Sequence, residues 1–294
     1  MEKGTMELIR ICEAILASAD LSGMAGLAVG IMAGDEICTG ARGYRNIESG
    51  ELMDADTIFH CASISKTFTS TAVMKLVEER KLRLDDKLVD VLSYLSIADK
   101  RCQKIEINHM LSHISGLQDA GELGWKAGLT GADALKNYAF ANEVTDRPML
   151  GEPGNCTPVY SDMAYDLLGL VVQEVSGQPF ETYIKENFFD PAGMKDTTFL
   201  TFERTGGSLS LEDIDKAKIA MPHVKDADGK IVLESMFPYT RQHAPSSTLT
   251  SNVSDLLKWG RYNLDKKAVS ADSYEKMWTE RVNIPDKFAM MGMG

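Results

Sequence analysis

The chain has 294 residues, of which 44% are hydrophobic and 25% charged, and this composition is typical of a globular protein with one large domain or two modest ones. Its net charge of −12 argues against nucleic acid or an anionic membrane surface as the main partner, because both attract clustered Lys and Arg. We therefore expect a small-molecule partner.

The cysteine content and the first residues predict where the protein is located. The five cysteines are scattered and lack a Cys-x-x-Cys pair, which fits a reducing compartment better than a disulfide framework or a zinc site: Cys12, Cys38, Cys61, Cys102 and Cys156. Charged residues such as Glu7 and Glu13 interrupt the apolar residues near the start, unlike a signal peptide. No apolar run is long enough to span a membrane. We expect a cytoplasmic protein with no membrane partner.

The first part of the chain predicts a helix followed by a hairpin. Apolar residues recur at helical spacing over residues 5–19, with Thr5 as the N-cap. Residues 26–33 and 36–44 are strand-like, and Gly34-Asp35 between them favours a two-residue turn. The helix is expected to cover one face of the sheet.

Most of the remaining chain predicts helices. A helical stripe runs over 63–79, and residues 82–193 predict mainly helices, of which 165–175, closed by Ser176-Gly177, is the clearest. Three further elements are predicted: a hairpin turn at 227–230 before a strand at 231–233, a helix at 254–264, and the beginning of a strand at 288–294.

The most informative motif is Ser63-Ile64-Ser65-Lys66 at the head of the second predicted helix. Residues three apart are neighbours on a helix, so a neutral Lys66 could accept the hydroxyl proton of Ser63 and activate it as a nucleophile. The pattern alone is weak, because a second match occurs at Ser273 to Lys276. The alternative is a helix N-cap serine beside a solvated lysine.

The order of several later motifs favours the nucleophile. After Ser63 and Lys66 come four further matches: the run from Ile107 to Leu117 that contains His113-Ile114-Ser115-Gly116-Leu117, Pro153-Gly154 before Tyr160-Ser161-Asp162, Gly169-Leu170, and the run from Asp190 to Thr197. In this order the chain resembles the serine β-lactamase and penicillin-binding-protein-like superfamily, nearest to its class C-related branch of esterases, peptidases and β-lactamases. The resemblance extends from the first helix to about Trp278.

The resemblance implies an α/β (α+β) fold with an antiparallel sheet flanked by helices and a mostly helical domain. We assign residues 1–80 and 225–294 to the mixed α/β domain and 81–224 to the helical domain, with the active site between them. The family's third motif, Lys-Thr-Gly or His-x-Gly on a strand, does not occur in the chain, so we expect the C-terminal strands to be lacking.

The resemblance also implies the roles of four site residues. Ser63 is the expected nucleophile, Lys66 its base or an electrostatic partner, and Tyr160 the expected proton relay. Asp162 lies at a substrate-binding position where the family usually has Asn; an ionised Asp only accepts hydrogen bonds, whereas Asn also donates. His109 and His113 are read as structural, since neither has metal-ligand partners at useful spacing.

The predicted function is a serine hydrolase that forms an acyl-enzyme on Ser63, without cofactor or metal, acting on a small ester, amide or peptide. An esterase or a D-amino-acid peptidase or amidase is favoured over a β-lactamase, because of Asp162 and the lack of a signal peptide. Two alternatives stay open: a catalytically silent or truncated relative that only binds ligand, and an acyltransferase that uses the same acyl-enzyme.

Overall fold

The computed structural model describes residues 3–121, 131–199, 203–205, 208–210, 218–234, 239–280, 282–283 and 290–291. The helices in chain order are α1 (Lys3–Ser18), α2 (Ser65–Glu78), α3 (Leu88–Val91), α4 (Ile107–Leu111), α5 (Ala134–Tyr138), α6 (Asn142–Thr145), α7 (Asp162–Ser176), α8 (Phe180–Ile184), α9 (Asp190–Ala192), α10 (Ala244–Ser247), α11 (Val253–Leu264) and α12 (Ala271–Trp278). Short 3₁₀ turns cover Ala62–Ile64, Lys100–Lys104 and Arg241–His243, and a π turn covers Lys185–Phe189.

The strands are short apart from the first two. In chain order they are β1 (Gly26–Ala33), β2 (Glu36–Asn46), β3 (Glu51–Leu52), β4 (Phe59–His60), β5 (Glu203–Thr205), β6 (Ser208–Ser210), β7 (His223–Lys225), β8 (Ile231–Leu233), β9 (Thr250–Ser251), β10 (Val282–Asn283) and β11 (Met290–Met291). All pairs between these named strands are antiparallel. The chain is therefore a mixed α/β protein with small antiparallel sheets and many helices, which confirms the predicted fold class.

The chain divides into two compact units. The first contains Met1–His60, Ala192–Pro238 and Thr250–Tyr262, and the second contains Cys61–Pro191, Tyr239–Leu249 and Asn263–Gly294. The domain boundaries drawn from the sequence stay a prediction.

A three-stranded sheet in the order β1-β2-β3 belongs to the first unit, and α1 packs on its strands β1 and β2. The predicted hairpin is confirmed: Ala33 pairs with Glu36, and Gly34 adopts the positive φ of +59° that favours glycine in a tight turn. Thr5 was predicted as the N-cap of α1 and this prediction is wrong. It lies inside the helix, where its hydroxyl donates to Glu36 Oε1 at 2.8 Å.

The predicted second hairpin and most of the helix after it, up to Tyr262, also belong to the first unit. β7 pairs with β8, and the backbone N–H of Asp226 donates to the Lys230 carbonyl across the predicted turn. α11 begins one residue before its predicted start and ends at the predicted Leu264. In its first turn the buried Asp255 accepts hydrogen bonds from the Asp196 backbone and the Thr197 hydroxyl, so it anchors the preceding loop.

The second unit is mainly helical, and α7 lies at its centre. Residues 163–172 of α7 are buried, and this helix packs against α2, α4, α8 and α10. It begins at Asp162, three residues before the predicted start, because the Ser161 side chain caps it by accepting from Ala164 N–H. It ends as predicted at Gly177, which adopts a left-handed conformation with φ of +73°.

Two other predictions made from the sequence are confirmed in part. The helix predicted from residue 63 begins at Ser65, after a 3₁₀ turn that contains Ser63. Of the strand predicted at 288–294, Met290–Met291 is a strand paired with Val282–Asn283, and the rest lies outside the described residues. In the part of the chain that the structure describes, no helix is both long enough and apolar enough to cross a membrane.

Candidate active site

Ser63 is presented by a strained turn at the N-terminus of α2. The turn begins with Ala62, whose φ of +44° is unusual for a residue with a Cβ, and strained backbone of this kind concentrates at functional sites. Ser65 fixes the turn, since its hydroxyl donates to the Ala62 carbonyl at 2.6 Å and accepts from Leu249 N–H at 2.9 Å. Ser63 itself is exposed, so its hydroxyl is accessible to a substrate.

Lys66 is buried one turn later, where its ammonium group meets three acceptors. Nζ donates to Ser63 Oγ at 3.2 Å and to the Ser246 carbonyl at 2.8 Å, and it forms a salt bridge with Asp162 Oδ1 at 2.5 Å. Each of the three N–H donors of Nζ therefore has an acceptor, as polar groups require in a residue that is only 4% exposed. The solvated lysine of the alternative interpretation is excluded.

Asp162 is the first residue of α7, and both of its carboxylate oxygens point to protein groups. Oδ1 binds Lys66, and Oδ2 accepts from the Ser247 hydroxyl at 3.3 Å. Its backbone N–H donates to Asp119 Oδ1 at 2.7 Å. The positive end of the α7 dipole further stabilises this carboxylate.

Tyr160 lies over Lys66 and is 47% exposed. Lys66 Nζ is 4.7 Å from the centre of its ring, and the His113 ring stacks on it at 4.5 Å. The described contacts of Tyr160 with these two residues are therefore made by the face of its ring, and a cation in this position is attracted by the ring electrons. A second tyrosine, Tyr165, has its ring centre 5.6 Å from Lys66 Nζ.

His113 supports Tyr160 and the start of α7. Its Nδ1 accepts from Ser161 N–H at 3.1 Å, and its carbonyl accepts from Val159 N–H at 2.8 Å. Burial, with the nearby charge of Lys66, lowers the pKa of His113 to about 4, so the ring is neutral at physiological pH. His109 has a local role: its Nδ1 accepts from Glu106 N–H at 3.1 Å in the capping box of α4.

The four residues predicted from the sequence are thus neighbours in the second unit, with Lys66 in contact with the other three. The described residues contain no group of His, Cys, Asp and Glu side chains that could hold a metal ion. The second serine motif is different: Ser273 is in the first turn of α12, where its N–H donates to the capping Ser270 hydroxyl.

Sequence reasoning missed the segment that follows the 3₁₀ turn at residue 241. Ser246, Ser247 and Leu249 provide a carbonyl, a hydroxyl and an N–H to Lys66, Asp162 and Ser65, respectively. Serine and threonine are common and a backbone carbonyl has no sequence signature, so the only available signal was an unusual run of small polar residues, Ser246-Ser247-Thr248, which is buried.

A lysine that donates to a serine hydroxyl at a helix start, with Tyr160 and Asp162 around it, is the arrangement that the sequence motifs predicted. A model of the family described as beta-lactamase matches residues 14–292. The chain belongs to the beta-lactamase family. It is 26% identical to PbpX of Bacillus subtilis (strain 168), whose name describes a penicillin-binding protein, over 273 residues that make up 92% of this chain and 62% of that protein.

Two other proteins similar to this chain are named as an esterase and as a penicillin-binding protein homologue. Esterase EstB of Burkholderia gladioli is 30% identical over 188 residues, 60% of this chain and 47% of that protein. An octameric penicillin-binding protein homologue from Pyrococcus abyssi matches with a TM-score of 0.77 and 26% identity, over 100% of this chain and 64% of that chain. This chain therefore spans between about half and two thirds of the length of these relatives.

Proposed function

We propose that this member of the beta-lactamase family is a serine hydrolase that forms an acyl-enzyme on Ser63 and acts on an ester or amide of a small molecule. The observation that carries the proposal is the hydrogen bond of 3.2 Å from Nζ of the buried Lys66 to Oγ of the exposed Ser63, in the turn that leads into α2. Family membership supports the same assignment.

In the proposed first step, Ser63 Oγ attacks the substrate carbonyl carbon and forms the acyl–oxygen bond, while the ester or amide bond breaks. The hydroxyl proton passes through Tyr160 to the leaving alcohol or amine, while Lys66, which donates to Ser63 Oγ, stabilises the negative charge on that oxygen. Water then attacks the acyl-enzyme, gives up a proton along the reverse path, and releases the acid and free Ser63. The N-terminus of α2 favours the negative charge that develops on Oγ.

Asp162 is proposed to bias the substrate toward simple esters. Its two oxygens are occupied by Lys66 and Ser247, and a carboxylate offers no donor to the carbonyl of an acylamino side chain. The relative named an esterase, EstB, supports this choice over a β-lactam.

A second candidate function is ligand binding without turnover. The observation that favours it is that Lys66 Nζ donates to Ser63 Oγ, the Ser246 carbonyl and Asp162 Oδ1, so it offers Ser63 a donor and not an acceptor for the hydroxyl proton. In that case the site would bind esters or amides and leave them intact.

The hydrolase and the non-catalytic ligand-binding protein are distinguished by measuring whether the chain hydrolyses a panel of substrates. Hydrolysis of p-nitrophenyl esters, D-amino acid amides and a chromogenic cephalosporin would be measured for the wild-type chain and for Ser63→Ala. We expect ester hydrolysis to be the fastest and to vanish in Ser63→Ala. Binding of the same compounds with no turnover in either protein would favour the silent relative.

A further inference from the structure

A segment of the second unit, residues 241–247, is attached to α7 and α8 by three acidic side chains. Arg241 forms two hydrogen bonds with Glu181, at 2.6 and 3.2 Å. The other two attachments are His243 Nδ1 to Asp166 Oδ2 at 2.6 Å, and the Ser247 hydroxyl to Asp162 Oδ2 at 3.3 Å. We call residues 241–247 the lysine-facing segment.

One face of α7 carries both the attachment to Lys66 and the attachment to His243. Asp162 and Asp166 are four residues apart, and Gly169 follows three residues later, so all three lie on the same side of the helix. The lysine-facing segment packs directly on this side, because a Cβ at Gly169 would be 2.0 Å from Pro245 Cγ. The approach is too close for any residue but glycine.

One helical turn of backbone connects His243 to the carbonyl that binds Lys66. Three residues after His243, the Ser246 carbonyl accepts from Lys66 Nζ at 2.8 Å, and the Ser246 hydroxyl donates back to the His243 carbonyl at 3.3 Å. Between them the Pro245 carbonyl accepts from the Thr69 hydroxyl of α2 at 2.7 Å. A shift of His243 would therefore move the carbonyl that holds Lys66.

The pair of His243 and Asp166 is fully buried, with both side chains 0% exposed. The rings of Tyr138 and His243 pack edge to face with their centres 4.9 Å apart, and Gln242 Nε2 is 3.0 Å from His243 Nε2. A buried pair of this kind adds little stability relative to apolar side chains of the same volume, because its desolvation offsets the attraction. The directional hydrogen bond between His243 and Asp166 does, however, fix the position of the lysine-facing segment relative to α7.

We propose that Asp166 and His243 are positioning residues of the Ser63 site: their buried hydrogen bond fixes the lysine-facing segment on α7 and so holds the Ser246 carbonyl against Lys66. The inference rests on the proposed function, since its consequence is the rate at which Ser63 is acylated. The inference adds two residues to the site. Among the described contacts, the side chains of these two residues touch neither Ser63 nor Lys66.

The test compares acylation of Ser63 by an activated ester in the wild type, in Asp166→Asn and in His243→Gln. The rate constant and the apparent binding constant would be separated by varying the ester concentration. We expect the rate constant to fall between about tenfold and a hundredfold with the binding constant unchanged, since small misplacements of catalytic groups have effects of this size. Asp99→Asn is the matched control, because Asp99 accepts from Arg101 and Met149 N–H in the same unit and has no described contact with the site.

A double variant, Asp166→Leu with His243→Phe, distinguishes positioning from stability. Apolar replacement of both partners is expected to recover the melting temperature lost in the single variants, while acylation stays slow. Acylation of the double variant or of folded His243→Gln at the wild-type rate would overturn the inference.

Hydrogen–deuterium exchange separates failure of the inference from failure of the proposed function. If the wild type takes no label on Ser63, the proposed function fails, and backbone exchange still reports on the segment. We expect exchange over residues 241–247 to rise in His243→Gln and to stay unchanged in Asp99→Asn. Equal exchange in His243→Gln and the wild type would overturn the positioning role.

Discussion

At the scale of single residues, the site depends on how Lys66 is surrounded. Ser63 and Lys66 were found from the sequence because three-residue spacing on a helix is a local property. The Ser246 carbonyl and the Ser247 hydroxyl were not found, because they come from a part of the chain about 180 residues away, as shown by the sequence separation of the Lys66 to Ser246 hydrogen bond. The Lys66 to Asp162 ion pair likewise depends on tertiary packing.

Replacement of Lys66 tests this ion pair. Lys66→Met is expected to slow acylation of Ser63 strongly and to lower the free energy of unfolding by about 3 kcal/mol, because the Asp162 side chain, 13% exposed, loses its cation. The double variant Lys66→Met with Asp162→Asn should recover most of that stability and none of the acylation. Urea denaturation of the three proteins measures the first quantity, and equal stability of Lys66→Met and wild type would contradict the buried pair.

Asp162→Asn tests the proposed substrate bias. The amide keeps an acceptor for Lys66 and gains a donor for a substrate carbonyl, so acylation by β-lactams should rise about tenfold relative to acylation by simple esters, the equivalent of one added hydrogen bond. The measurement is the rate of adduct formation with a penicillin and with a p-nitrophenyl ester. An unchanged ratio of the two rates would remove Asp162 as a specificity residue.

His113 predicts a pH dependence of stability. Burial lowers its pKa from 6.5 to about 4 in the folded protein, so between these values the unfolded chain binds the proton that the folded protein does not. This contribution to stability is fully present above pH 6.5 and is lost as the pH falls toward 4, with a total of order 3 kcal/mol.

His113→Asn is the comparison for that pH dependence. Asparagine tolerates the positive φ of +55° at this position and offers an oxygen to Ser161 N–H. The free energy of unfolding of the wild type should fall more steeply than that of the variant between pH 6.5 and 4. Parallel curves would show that His113 does not titrate as its burial implies.

At the scale of elements, the helix α7 organises the second unit. Its apolar run and its Gly177 cap made it predictable, whereas its start at Asp162 depended on the Ser161 cap, whose acceptor role the sequence did not reveal. The lysine-facing segment escaped prediction because its burial is set by contact with α7 and not by its own hydrophobicity. Serines are mostly exposed in proteins, so a run of serines in a sequence predicts a surface loop even where the folded chain buries it.

Gly169 of α7 gives an element-scale prediction. Gly169→Ala should lower stability by about 1–3 kcal/mol, because the added methyl group would overlap Pro245 Cγ at 2.0 Å, and it should slow acylation by displacing the lysine-facing segment. Gly260→Ala in α11 is the control, since among the described residues no atom beyond its chain neighbours and the backbone of its own helix lies within 4 Å of the added Cβ, and alanine favours a helix by about 0.5–1 kcal/mol. Thermal denaturation of both variants measures the difference; equal melting temperatures would contradict the close packing of α7 on the segment.

At the scale of the whole molecule, the order of motifs along the chain was sufficient to predict the family and the fold class. The hairpin of β1 and β2 and the long helices α1, α2, α7 and α11 follow from local periodicity. The small strands such as β4 and β9, each of two residues, do not, because their pairing joins parts of the chain about 190 residues apart. Their formation is set by tertiary contacts and not by strand propensity.

The central claim is that Ser63 is the nucleophile of this molecule, and covalent labelling tests it most directly. The chain would be treated with a fluorophosphonate, whose phosphorus is attacked by an activated serine with loss of fluoride, and then measured by intact mass and peptide mapping. We predict one adduct per chain, located on Ser63, absent in Ser63→Ala and strongly reduced in Lys66→Met. An unlabelled wild-type chain, or an adduct that persists in Ser63→Ala, would contradict the claim.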